Sequence, residues 1–115
     1  MSRDGFKYLY DVKIAAEKIQ AFTRGRQYAD YQSDDLLRSA VERQFEIIGE
    51  ALNQLSQRQP ETCRCISGFR RAIAFRNILI HGCAEIDDEV VWGVLKNDLP
   101  TLLDDVLTLL ASHEN

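Results

Sequence analysis

The sequence predicts an all-α fold, an antiparallel up-and-down helical bundle of four to five helices. Three observations carry this expectation. Apolar residues recur three and four positions apart along most of the chain, the period at which one face of a helix meets a core. No stretch shows the every-second-residue alternation of a half-buried strand. Ser, Asp, Gly and Pro fall between the periodic runs, where helices start and stop.

The first helix is expected over residues 3–24, with Phe6, Leu9, Tyr10, Ile14, Ala15, Ile19 and Phe22 on its apolar side and Gly25 as its stop. The following GRQYADYQS, residues 25–33, lacks the period and reads as a loop. Ser33 suits the N-cap of a second helix, and Asp34 and Asp35 in its first turn complement the dipole. That helix runs to about Ser56, with Leu37, Val41, Phe45, Ile48, Ala51, Leu52 and Leu55 as its inner stripe. Pro60 and the residues around it, PETCRC, interrupt the pattern.

A third helix is expected from Ile66 through Phe69, Ile73, Ile78 and Leu79, with Gly82 just past its end. Asp87 or Asp88 can cap a fourth, DEVVWGVLKNDL. Pro100 then either kinks that helix or opens a fifth, TLLDDVLTLLASH. Four apolar stripes joined by short loops bury one another most simply as an antiparallel bundle.

A chain of 115 residues, 45% of them hydrophobic, suits one domain spanning 1–115. Charges interrupt every apolar run well before the roughly 20 residues a membrane span needs, and the N-terminal stretch lacks the apolar core of a secretory signal. A cytoplasmic protein is expected. Cys63, Cys65 and Cys83 cannot all pair within one chain, so reduced thiols are the default.

The formal charge is −4, which argues against a general polyanion binder. Residues 58–81 nevertheless hold Arg58, Arg64, Arg70, Arg71 and Arg76 against Glu61 alone. That local balance of +4 leaves −8 on the rest of the chain. A basic patch on an acidic body suits one defined anionic ligand.

Within the patch, FRNILIHGC at 75–83 sets an arginine, an asparagine and a histidine inside an otherwise apolar helix. Buried polar groups need partners, so the segment reads as a site. At about 100° per residue, Asn77 and His81 share a face, while Arg76 and His81 diverge by roughly 140°. If a second copy of the helix approached across a symmetric interface, two Arg-Asn-His sets would line one groove. A neutral imidazole can take a proton from a hydroxyl, and a guanidinium can grip a phosphate through two N–H donors. Those groups suffice to cleave RNA when the ribose 2′-hydroxyl attacks its own phosphate, with no metal or other cofactor. The same spacing also fits a plainer arrangement, in which His81 closes the helix end and Arg76 pairs with a carboxylate. Glu46 and Glu50 are the carboxylates within reach on the second helix.

The surrounding order of residues is more specific. FRNILIHGCAEIDDEVVW, followed by KNDLPTLLDDV and preceded by FEIIGEALNQLS, resembles the HepT-like branch of the HEPN families over nearly the whole chain. The resemblance implies an all-helical homodimer with a composite site at its interface. It also implies a metal-independent endoribonuclease serving as the toxin of a toxin–antitoxin pair, acting on RNA such as tRNA or mRNA. Arg76 would then bind the scissile phosphate, His81 would be the catalytic histidine, and Asn77 would orient one or the other. The implied partner is an MNT-type minimal nucleotidyltransferase that silences the toxin. In studied members it transfers AMP to the tyrosine of an H-x-Y ending, where this chain has Cys83. A thiol offers no phenolic oxygen, so regulation departs from the pattern while the Arg76 and His81 pair is intact.

Other readings use the same residues. Cys63, Cys65, His81 and Cys83 have zinc-ligand chemistry, but the pairs lie some fifteen residues apart at about 1.5 Å per residue, too far for one tetrahedron. Cys83 as a nucleophile would sit near a helix C-terminus, which disfavours a thiolate. Phe69, Phe75 and Trp92 could stack on bases, although helical spacing makes them core residues first. A catalytically inactive binding module, or an adaptor for a nucleotidyltransferase, is the alternative to the enzyme.

Overall fold

Helix α3 (Asp35–Arg58) is the axis of the molecule, with α1 (Arg3–Thr23) packed along one side and α5 (Phe69–His81) along the other. Both run antiparallel to it: Arg58 reaches back to Asp4, and the Phe45 and Phe75 rings meet edge to face at 5.3 Å. Two short helices, α2 (Tyr28–Ser33) and α4 (Pro60–Arg64), sit in the connections. Helix α6 (Asp88–Gly93), a π-turn (Val94–Asp98) and α7 (Leu99–Glu114) follow, and α7 packs against α1. This computed structural model describes residues 3–82 and 86–114, among which there is no strand. Among them, no helix is long and apolar enough to cross a membrane.

The expected all-α bundle is therefore present, with differences that have local causes. Gly25 ends α1 as anticipated, in the left-handed region at φ +73° where a side chain would be strained. The segment expected as a loop instead folds into α2, because Gln27 N–H donates to the Asp30 carboxylate at 2.8 Å and closes the first turn. That displaces the N-cap of α3 by one residue. Asp34 accepts from Leu37 N–H at 3.1 Å, whereas the Ser33 hydroxyl bonds back to Ala29 at the end of α2. Pro60 occupies the first turn of α4, where its missing N–H costs nothing. Helix α5 begins at Phe69, later than expected, and Ile66 is buried ahead of it.

Asp87 supplies the cap of α6, accepting from Glu89 N–H at 2.9 Å. Pro100 sits in the first turn of α7, the second of the two expected positions, and α7 continues from the preceding turn without a break. The backbone stays helical through Val94 and Leu99, and Leu99 N–H bonds to Val94 C=O, one residue further back than in an α-helix. This widened turn accommodates a proline that has no N–H to give and whose ring would crowd the Lys96 carbonyl.

All seven residues of the α3 stripe are buried, as the spacing required. On α1, Leu9, Ala15 and Ile19 are buried, but Ile14 and Phe22 are exposed. On α5, Phe75 and Leu79 are buried and Phe69 and Ile73 pack partly buried against the core, whereas Ile78, another of the apolar residues expected along this helix, is 57% exposed. Helix α5 thus lies on the outside of the bundle with half its circumference uncovered.

Candidate functional site

The close approach of α5 to α3 begins at Gly49. A Cβ there would stand 2.1 Å from the Arg76 Cβ and 3.0 Å from the Ala72 carbonyl oxygen, so no larger residue fits without moving a helix. A mid-helix glycine costs about 1 kcal/mol against alanine. Here it lets the stem of Arg76 lie flat on α3.

Lying there, Arg76 is 23% exposed and held at both ends of its guanidinium. Nη2 donates to Glu50 Oε2 at 2.6 Å, and Nη1 donates to Asn77 Oδ1 at 2.8 Å. Its Nε–H is buried without a hydrogen-bond partner. The expectation that a carboxylate of the second helix could tie down Arg76 is met by Glu50, while Glu46 pairs with Arg43 at 3.4 Å. A phosphate approaching Arg76 must therefore compete with the Glu50 carboxylate.

His81 ends α5 and is exposed, one helical turn beyond Asn77 on the same face. The three residues singled out from the sequence therefore fall into a linked order. Arg76 faces α3, Asn77 bonds to it from the next position, and His81 shares the outward face of Asn77.

Beside Arg76 an open cleft of about 600 Å³ runs over α3 between α1 and α5. Lys7, Tyr8 and Asp11 of α1 form one wall, and Arg76 and Ile80 form the other. Arg43, Glu46 and Glu50 stand on its floor. Between α5, α3 and the start of α7, Ala72, Phe75, Ile78, Phe45, Leu99 and Leu102 line a smaller apolar cavity of about 240 Å³.

The remaining residues with candidate chemistry lie apart. Phe75 is buried and Phe69 is packed against the core. Trp92 is half-buried against the core, its ring centre 5.4 Å from that of Tyr31. Cys63 is buried in α4 and its thiol is pushed up to about 11 by that burial, whereas Cys65 is exposed. Among the described residues no three metal-ligating side chains converge. Cys83 lies outside the described residues.

Gly49 is the site residue that the sequence reading misses. Its signal was a glycine in the middle of a long apolar-periodic helix, within the IGEA stretch.

The family model described as ribonuclease HepT-like matches residues 12–109. The chain is 32% identical over 104 residues to "Putative RNase MJ1380" of Methanocaldococcus jannaschii, covering 90% of this chain and 94% of that protein. It is 35% identical over 106 residues to "Probable ribonuclease HepT" of Thermococcus cleftensis, covering 89% and 92%. No solved structure gives a significant match.

Proposed function

This chain belongs to the ribonuclease HepT-like family, and we propose that it is a metal-independent endoribonuclease, the toxin of a toxin–antitoxin pair. The observation that carries the reading is the Arg76–Asn77 hydrogen bond at 2.8 Å, which couples a phosphate-binding group to the face that presents His81. Neutral His81 takes the proton of a ribose 2′-hydroxyl as its oxygen attacks the adjacent phosphorus. Arg76 exchanges Glu50 for the phosphate oxygens and balances the charge that builds on them. The bond to the 5′-oxygen breaks, that oxygen is protonated by imidazolium or water, and the products are a 2′,3′-cyclic phosphate and a 5′-hydroxyl.

The working form in this reading is a homodimer. The uncovered face of α5 supports it, since Ala74 and Ile78 lie in line with Asn77 and His81. A second copy apposed there would cover Ile78 and bring two His81 side chains to one groove. The partner is an MNT-type minimal nucleotidyltransferase acting as antitoxin in the cytoplasm, and Cys83 means that silencing proceeds by complex formation or by modification at another residue.

A second reading, an inactive binding module, is favoured by the 2.6 Å Arg76–Glu50 pair, which already occupies the guanidinium. Incubation with RNA in EDTA separates the two. The enzyme should yield fragments ending in 2′,3′-cyclic phosphate, and intact RNA from folded dimer would establish the binding module.

A further inference from the structure

The cleft over α3 contains more than the catalytic arginine requires. Tyr8 is partly buried on the α1 wall, with the Lys7 ammonium 5.7 Å and the Arg58 guanidinium 5.8 Å from its ring centre. A tyrosine ring attended by two cations is the combination that holds a nucleobase on its face and a phosphate at its edge. Both cations have long stems, and Arg58 is half exposed, so either can yield the ring face to a base and follow the phosphate. Arg43, 67% exposed and bound only loosely to Glu46 at 3.4 Å, lines the same cleft.

The charge balance decides what such a cleft can bind. Lys7, Arg43 and Arg76 are matched there by Asp11, Glu46 and Glu50. A neutral cleft cannot draw in a duplex by field alone, so affinity must come from a base stacking on Tyr8 while phosphates exchange for the two glutamates. An unpaired strand has a free base face to offer, and a duplex does not. The Gln54 amide, which donates to Glu50 at 3.2 Å, adds a group able to reach a ribose hydroxyl or a base edge once Glu50 is displaced.

We infer that this cleft seats an unpaired RNA segment next to the scissile phosphate, with one base stacked on Tyr8 and neighbouring phosphates on Lys7 and Arg43. The inference deepens the ribonuclease reading and rests on it for the identity of the strand.

The test is fluorescence anisotropy of the full chain carrying His81→Ala, with a short labelled unpaired RNA in EDTA. Tyr8→Leu should weaken binding about tenfold or more, and Tyr8→Phe should leave it unchanged. The logarithm of affinity should fall with that of salt at a slope of about −2, and Lys7→Ala should lower the slope by about 0.7. Retained affinity in a Tyr8→Leu protein with the parent's melting curve would overturn the inference, as would equal binding of the matching duplex. Should Tyr8→Leu not fold, the exposed Lys7 and Arg43 decide, and unchanged salt slopes in both alanine variants would overturn it. Tyr8-dependent binding by a protein that cuts no RNA would sink the ribonuclease reading and leave the cleft standing. Cleavage whose KM ignores Tyr8→Leu would do the reverse.

Discussion

The Cβ of Arg76 occupies the space that a side chain on Gly49 would need, the two positions being 2.1 Å apart. This contact sets how closely α5 lies on α3, and so where the guanidinium of Arg76 can reach. Helix packing and the site are the same feature at this point.

Gly49→Ala should therefore destabilise the protein, although alanine is the better helix former. Overpacking costs about 1–3 kcal/mol, and propensity returns about 1 kcal/mol. With the Arg76 stem and the Ala72 backbone both in the way, the steric cost wins. Thermal unfolding followed by circular dichroism should show a melting temperature several degrees lower, with RNA cleavage reduced as well. A raised melting temperature would mean that α5 is free to move away.

Glu50 should act as a positioning residue for Arg76. Glu50→Ala removes the 2.6 Å acceptor that holds the guanidinium in place for an incoming phosphate and should raise KM about tenfold, while kcat, set after Glu50 has been displaced, stays within a few fold. Glu50→Gln keeps an oxygen acceptor without the competing charge, so it should keep kcat within a few fold and lower KM. Steady-state kinetics on one RNA would check the split, and equal loss of kcat in both variants would contradict a purely positioning role.

How much of this was legible in the sequence differs between the helices. The α3 stripe is buried throughout because its helix has neighbours on both sides, so the period alone identified its core. On α5 the same reasoning misassigned Ile78, since a helix packed on one neighbour shows an apolar residue to whatever covers its other face. The period cannot tell a core from an interface. Helix α2 was missed because a short helix closed by a Gln27–Asp30 contact has no room for a period. Arg76, Asn77 and His81 stood out as polar residues in an apolar run. Glu50 stood out only as one of two carboxylates that could reach Arg76, and Gly49 did not, because its role is set by a helix more than twenty residues away.

Glu42 should make stability depend on pH in an unusual direction. Burial is the largest cause that raises its carboxyl above the ordinary value, Asp88 and Glu46 add to it, and Arg38 partly offsets them. The fold thus favours the protonated form. Stability from this group is complete below the unfolded carboxyl pKa and is lost as pH rises through the higher folded value. Glu42→Gln should melt a few degrees above the parent at neutral pH, and the gap should close under acid conditions. A gap that widened in acid would reverse the assignment.

In the proposed mechanism, proton transfer by His81 drives a metal-independent cleavage of RNA. Its most direct measurement compares the parent and His81→Ala on labelled tRNA in EDTA, with the 3′ ends of the products identified. General-base catalysis predicts cyclic phosphate ends from the parent and a rate at least about 10²-fold lower from the variant, with helicity unchanged. Equal cleavage by a folded His81→Ala protein would contradict it.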